Sequence, residues 1–292
     1  MKKITFIGLG VMGSPMAGHL SKKGYSVTVY NRSKKKSKRW IKQHIGTHAT
    51  SIKEAVKDSD IVFSCVGNDS DLRDITLGAN KAFSVMKAGS LFVDHTTTSS
   101  DIAVELHKRA LAKNIHFLDA PVSGGEVGAI KGELSVMIGG EKSIFDKVKP
   151  IVAAYAKNIT LIGGPGKGQV AKMVNQICIA GLVQALSEAI SFSEKSELDT
   201  KKVLQAISQG AAGSWQLSNR GETMVDREFD FGFAVKLMRK DLGICLDHAN
   251  NKNISLPVTS IVNQFYAEVE RRGGSKFDTS SLLTRFDYRD AT

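Results

Sequence analysis

The chain has 292 residues, 42% of them apolar, enough to bury a full core and to build two domains of ordinary size. Its three cysteines, Cys65, Cys178 and Cys245, stand at long, unrelated spacings that exclude a disulfide framework, a metal knuckle and a paired-thiol redox motif; they are expected as buried thiols, and no metal site is expected. The net charge of +11 admits a nucleic-acid partner, but most of it is scattered, and the dense run Lys34, Lys35, Lys36, Lys38, Arg39 is read as a solvated helix face with a smaller partner than DNA.

Met1 to Met12 imitates the basic and apolar parts of a secretory leader, but Gly8, Gly10 and Gly13 break that stretch with a spacing that has another meaning. The run Ile177 to Leu186 is interrupted by Gln184 and falls short of the ~20 residues of a membrane span. A cytoplasmic chain with no membrane partner is the expectation.

Up to about residue 163, β-rich runs alternate with helical stretches, the pattern of a parallel sheet covered by helices. The first predicted strand, Lys3 to Gly8, runs into Gly8-Leu9-Gly10-Val11-Met12-Gly13, which opens a helix that returns through Gly24 to a second strand, Ser26 to Tyr30. This is a βαβ unit with a dinucleotide fingerprint: one glycine for the tight turn, one for close approach of the pyrophosphate to bare backbone, one for helix–strand packing. N–H groups at the helix N-terminus would receive the negative charge. An acid after the second strand would mark NAD through the ribose hydroxyls. Asn31, Arg32 and Ser33 stand there instead and favour NADP over NAD, because a guanidinium can fork onto a 2'-phosphate.

Ser51 is the expected N-cap of a helix to Val56, with Glu54 at capping-box spacing. Further strands are predicted at Asp60 to Val66, Ser90 to Asp94, Ile115 to Asp119, Leu134 to Gly139 and Ile159 to Ile162. Ligands of open α/β sheets bind at the carboxyl ends of strands, so Val66-Gly67 and the Thr97 loop are candidate cofactor contacts, with His95 as a structural loop residue. Ser123-Gly124-Gly125 precedes a short helix, where N–H groups and a hydroxyl can hold a carboxylate. The segment 163–166, Gly-Gly-Pro-Gly, is the expected boundary between a doubly wound domain at 1–163 and an all-helical domain at 164–292.

The helix from Gly168 to about Lys195 is apolar through its middle and is expected to be buried on all sides, with Gly181 at a close helix contact and Gly168 leaving room for ligand. Lys172 and Asn175, three apart, share a face. An ammonium beside an amide suits an oxygen that gains or loses a proton as hydride moves at carbon. Lys240 is a candidate neighbouring cation, and Trp215 is expected in a core or a pocket wall.

These blocks together, the fingerprint extended to Ala17, the segment 119–125 (Asp-Ala-Pro-Val-Ser-Gly-Gly), the segment 166–175 around Lys172, and Lys240-Asp241-Leu242, resemble the β-hydroxyacid dehydrogenase family. That family includes 3-hydroxyisobutyrate dehydrogenase and the tartronate semialdehyde and glyoxylate/succinic semialdehyde reductases. The resemblance implies a catalytic lysine at Lys172, a substrate loop at Ser123 to Gly125, a threonine near nicotinamide and substrate at Thr97, a cofactor contact at Lys240, and a homodimer or homotetramer. Gly67 and Ser100 stand where many members carry proline. Two other readings remain: an imine reductase on the same fold, against which Lys172 argues, and a non-catalytic nucleotide-sensing or nucleic-acid-binding protein, supported only by charge.

Overall fold

The computed structural model describes residues 2–287. Strands β1 (Lys3–Ile7), β2 (Ser26–Tyr30), β3 (Thr47–His48), β4 (Ile61–Ser64), β5 (Leu91–Asp94), β6 (His116–Asp119), β7 (Val122–Ser123), β8 (Leu134–Gly139) and β9 (Ala156–Gly163) form one sheet. The helices that alternate with them are α1 (Gly13–Lys22), α2 (Lys34–Trp40), α3 (Ile52–Val56), α4 (Asp69–Thr76), α5 (Ala82–Val85), α6 (Ser100–Leu111), α7 (Gly125–Lys131) and α8 (Lys142–Val152). Strand order is β3-β2-β1-β4-β5-β6 with every pair parallel; β8 then joins β6 antiparallel and carries β7 antiparallel and β9 parallel. The chain steps outward from β1 and returns to β4 on its other side, so the topological switch point lies between β1 and β4.

Successive side chains of a strand point to opposite faces. Ile4 and Phe6 of β1 therefore join one apolar cluster, with Leu20, Val29 and Phe63, and Ile7 joins another, with Val62, Phe92 and Ile102. Burial on both faces is why β4 and β5, buried at every position, read as nearly continuous apolar runs, while β2, nearer the edge, alternates. Two short strands were not foreseen, β3 and β7, each two residues long and too brief to show a period. The Ser51 cap is present, its Oγ accepting from Glu54 N–H at 3.1 Å. The Glu54 carboxylate, however, takes the Thr50 N–H and hydroxyl at 2.8 and 2.7 Å, closing the box one residue earlier than expected.

The chain packs as two compact units that part between Lys172 and Met173. The segment 163–166 leads into α9 (Lys167–Lys195), whose first turn is bonded to β6. Beyond Met173 follow α10 (Thr200–Ile207), α11 (Trp215–Val225), α12 (Val235–Asn251) and α13 (Pro257–Arg271), then two 3₁₀ turns reaching Phe286. The second unit's core joins Ala180 and Val183 of α9 to Val235, Met238 and Leu242 of α12 and to Val262, Tyr266 and Val269 of α13.

Several expectations for this half are corrected. Burial on α9 follows a stripe, Met173, Gln176, Ala180, Val183, Ser187 and Ile190, at alternating three- and four-residue steps, while Val174, Cys178, Leu182 and Phe192 are exposed, Phe192 by 74%. A Cβ at Gly181 would meet nothing within 4 Å, so no close contact explains that glycine. At Gly168 a Cβ would lie 2.5 Å from the Met137 carbonyl and 2.8 Å from that of Asp119; this glycine lets the helix meet the sheet and leaves no room for ligand. Trp215 is outside the core, 55% exposed, with the Arg220 guanidinium 5.0 Å above its ring. Among the cysteines only Cys245 is buried; Cys65 is partly so and Cys178 is exposed.

Candidate active site

The fingerprint turn sits where the sheet reverses. Gly8 has φ +96°, and a Cβ there would lie 2.2 Å from the Cys65 carbonyl; at Gly13 it would lie 2.0 Å from the Gly8 carbonyl. Both positions are closed to any side chain. Gly10 between them is the opposite case: a Cβ would meet nothing, so the bare backbone there is open to a ligand. Leu9 is buried, Met12 half-buried and Val11 exposed. Two packing glycines around an open one fit a dinucleotide pyrophosphate approaching the start of α1.

Asn31 is a brace for this turn. Its Oδ1 accepts from Leu9 N–H at 2.9 Å and its Nδ2 donates to the Ser33 carbonyl at 3.2 Å, fixing the fingerprint to the end of β2. Arg32 projects into solvent, its side chain 89% exposed, and leans 3.4 Å from Asp71. Ser33 opens α2, on which the lysine run is exposed while Ser37 and Trp40 are buried.

At the ends of β4 and β5 a buried carboxylate organises the loops. Asp94 Oδ1 accepts from Ser64 Oγ and from Thr96 Oγ1, both at 2.6 Å, and Thr96 Oγ1 in turn accepts from Val66 N–H at 3.0 Å. Burial pushes the Asp94 carboxyl up to about 7 and the His95 imidazole down to about 4. His95 bonds the Ala120 carbonyl at 2.6 Å and the Tyr155 hydroxyl at 2.8 Å and stacks on Phe63, a structural role as expected. Asn68 caps α4 by accepting from Asp71 N–H at 2.9 Å, which orders the loop that carries Gly67 in place of proline.

Ser123 ends β7, and Gly124 and Gly125, with φ +124° and +61°, turn the chain into α7 with their N–H groups at its start. The far end of α7 is tied to α1 by His19, whose Nε2 lies 3.1 and 3.0 Å from the Ala129 and Ile130 carbonyls. The anion loop and the dinucleotide turn thus belong to neighbouring elements. A cavity of about 310 Å³ beside this contact is lined by α1 residues including Ser14, His19 and Lys22, by His44, and by Glu126 and Ile130 of α7, and it includes neither the fingerprint glycines nor Ser123 to Gly125.

Lys172 is only 7% exposed, on the second turn of α9. The helix is anchored by Asp119, whose two oxygens accept from Gly166 and Gln169 N–H at 2.8 and 3.0 Å. Gln169 reaches back to the Thr97 loop, donating to the Thr96 carbonyl at 2.7 Å and accepting from Thr98 N–H at 3.1 Å. In the second unit, Asn175 donates to Gln176 at 2.8 Å, Gln176 donates to Asp241 at 2.7 Å, and Lys240 lies 3.1 Å from Asp241. Asp94, Asp119, Gln169, Gln176 and Asp241 were not singled out from sequence. All five are buried, but Gln169 and Asp241 stand near lysines in sequence, so burial and not local composition sets them apart.

A doubly wound sheet, a glycine cradle at its switch point and a buried lysine on the adjoining helix define a nicotinamide-dependent oxidoreductase. Residues 3–163 match the NAD binding domain of 6-phosphogluconate dehydrogenase, and residues 166–286 match the NAD-binding domain of NADP-dependent 3-hydroxyisobutyrate dehydrogenase. The chain is 53% identical to an uncharacterized oxidoreductase of Shewanella frigidimarina over 98% of its length and 99% of that protein. It is 35% identical to 2-hydroxy-3-oxopropionate reductase of Escherichia coli over 96% of both. Mycobacterium tuberculosis 3-hydroxyisobutyrate dehydrogenase with L-serine superposes with TM-score 0.89 at 27% identity, covering 99% of this chain and 100% of that one. An imine reductase of Myxococcus stipitatus shares the fold alone, at TM-score 0.65 and 20% identity. The chain belongs to the β-hydroxyacid dehydrogenase family and is a 3-hydroxyisobutyrate dehydrogenase-like, NAD(P)-dependent enzyme acting on CH–OH groups.

Proposed function

We propose that this chain interconverts a small carboxylate-bearing semialdehyde and its hydroxy acid, with NADP(H) preferred and Lys172 as the proton donor and acceptor. The observation that carries the reading is the burial of Lys172 on a helix whose start is pinned to the sheet. A lysine withdrawn from water at a cofactor-binding fold is far more apt for proton transfer than for solvation. When bound, the nicotinamide supplies or accepts the hydride.

In the reducing direction Lys172 hands its proton to the carbonyl oxygen of the substrate, and Asn175, three residues on along α9, orients that oxygen. The N–H groups of Gly124 and Gly125 and the Ser123 hydroxyl hold the carboxylate at the head of α7. Thr97, projecting from a loop whose flanking residues are buried, and the Val66-Gly67 turn border the nicotinamide side. Lys240 reaches the cofactor. Arg32, in a weak surface pair, is free to turn to a 2'-phosphate at little cost.

Residues 1–163 form the dinucleotide-binding domain and add the carboxylate loop, and residues 164–292 form the substrate and assembly domain and add Lys240. A homodimer or homotetramer would cover the exposed Val174, Leu182 and Phe192 of α9, a helix long and apolar enough to span a membrane but carrying the buried stripe of a core element. We assign the chain to the cytoplasm, with neither nucleic acid nor membrane as partner. The test is a panel of small aldehyde acids, their neutral analogues and cyclic imines, assayed with NADPH and NADH. Turnover confined to carboxylated aldehydes supports the reading, and turnover confined to imines defeats it.

A further inference from the structure

The Gln169 side chain is wholly buried and spends both ends of its amide on the backbone around Thr97. Nε2 donates to the carbonyl before Thr97 and Oε1 accepts from the N–H after it, so the amide pairs with this loop as an adjacent strand would. Thr96 and Thr98 are buried and Thr97 between them is half-buried. The loop is held from its other side as well, through Thr96 Oγ1 to Asp94 and from Val66 N–H to Thr96 Oγ1. Gln169 has no slack of its own, because its N–H and that of Gly166 are taken by the two oxygens of Asp119. Lys172 follows three residues later, on the same face of the helix.

We propose that Gln169 is a positioning residue for hydride and proton transfer: by bridging the peptides on both sides of Thr97 from the helix face that carries Lys172, it sets those two side chains in one frame. The inference rests on the functional reading of Lys172 and Thr97 given above and adds to it the device that registers them. Gln169 touches neither cofactor nor substrate and acts through Thr97. A leucine or methionine would fill the same volume, so packing alone does not require an amide here. Both partners are main-chain groups, which makes the bridge independent of any side chain in the loop.

The test uses the full-length chain and four proteins: wild type, Gln169→Met, Thr97→Ala and the double variant. Gln169→Met keeps the volume and loses both bonds. Its kcat on the best substrate of the aldehyde-acid panel should fall about 10- to 100-fold, the scale of a misplacement near 1 Å. The NADPH dissociation constant should stay within about threefold, and amide hydrogen exchange over residues 95–99 should quicken. Because Gln169 acts through Thr97, the double variant should lose no more than the poorer single variant. Gln169→Glu puts an acceptor against the Thr96 carbonyl while its carboxyl is ionised and a donor there once it is protonated, so relative to wild type its kcat should recover as pH falls; a pH-independent deficit would overturn the inference, and this readout decides the matter if Gln169→Met does not fold. Losses that multiply, a cofactor affinity that falls in step with kcat, or unchanged exchange at 95–99 would overturn the inference while leaving the functional reading intact. A wild-type chain inert toward the whole panel would overturn that reading, and the inference with it.

Discussion

The Gln176 amide donates to the Asp241 carboxylate at 2.7 Å, and Asp241 also lies 3.1 Å from the Lys240 ammonium. Because Asn175 donates to Gln176, a single polar chain runs from the proposed substrate-orienting amide to the proposed cofactor-binding lysine. Asp241→Asn keeps the shape but removes the charge that holds Lys240. We expect kcat to fall about tenfold and stability to fall by ~1–3 kcal/mol, the usual cost of disturbing a buried charged hydrogen bond. Steady-state rates and urea unfolding of the variant check both; a variant unchanged in both measures would make the chain incidental.

Two adjacent buried residues have opposite pH signatures. Asp94 holds its proton to about 7 when folded and releases it near 3.8 when unfolded, so the stability it contributes is present at low pH and lost as pH rises through that interval. His95 takes its proton only near 4 when folded against 6.5 unfolded, so it costs stability as pH falls from 6.5 toward 4. Asp94→Asn removes the first effect and keeps the acceptor for Ser64 and Thr96. The stability of the variant relative to wild type should therefore rise by at least ~1 kcal/mol between pH 4.5 and 7, one pKa unit being ~1.4 kcal/mol. A pH-independent difference in urea unfolding would contradict this.

Two glycines of α9 should respond in opposite directions to the same change. Gly181→Ala adds a methyl into open space and removes a flexible residue from a helix interior, a gain of about 0.5–1 kcal/mol. Gly168→Ala drives a Cβ into two carbonyl oxygens and should cost about 1–3 kcal/mol. Thermal unfolding of the two variants reads the contrast. If Gly181→Ala instead lowers stability and the native mass together, a second copy packs on that glycine.

Cofactor choice turns on Arg32 and the acid beside it. Arg32→Ala should weaken NADPH binding at least tenfold, ~1.4 kcal/mol, and NADH binding by less than threefold. Asp71→Asn, which frees Arg32, should leave NADH alone and tighten NADPH modestly. Fluorescence titrations of both cofactors decide it, and equal losses for the two in Arg32→Ala would leave Arg32 as an adenine-stacking residue.

The sheet was legible because buried parallel strands advertise themselves as apolar runs, and the fingerprint was legible because a pyrophosphate leaves few choices at Gly8, Gly10 and Gly13. Strands of two residues, β3 and β7, carry no period to read. The faces of α9 were misread because apolar composition does not say which side meets a neighbour: Phe192 and Ile190 look equivalent in sequence, yet one is exposed and the other buried. Gly168 serves the helix–sheet contact and not a ligand, a distinction that depends on the Met137 and Asp119 carbonyls of two strands remote in sequence. Asp94, Asp119 and Gln169 act through main-chain groups some 2 to 73 residues away, and nothing local in the chain marks such partners.

Whether Lys172 moves the proton is decided by Lys172→Ala, measured for both kcat and NADPH affinity. A positioned general acid contributes ~10²- to 10⁴-fold in rate. The variant should lose kcat in that range with the NADPH dissociation constant changed less than about threefold, and Lys172→Arg, whose guanidinium keeps its proton, should rescue little. A Lys172→Ala variant that retains more than about a tenth of wild-type kcat with hydride transfer rate-limiting, a loss of under ~1.4 kcal/mol, would contradict that role and assign the proton to another group.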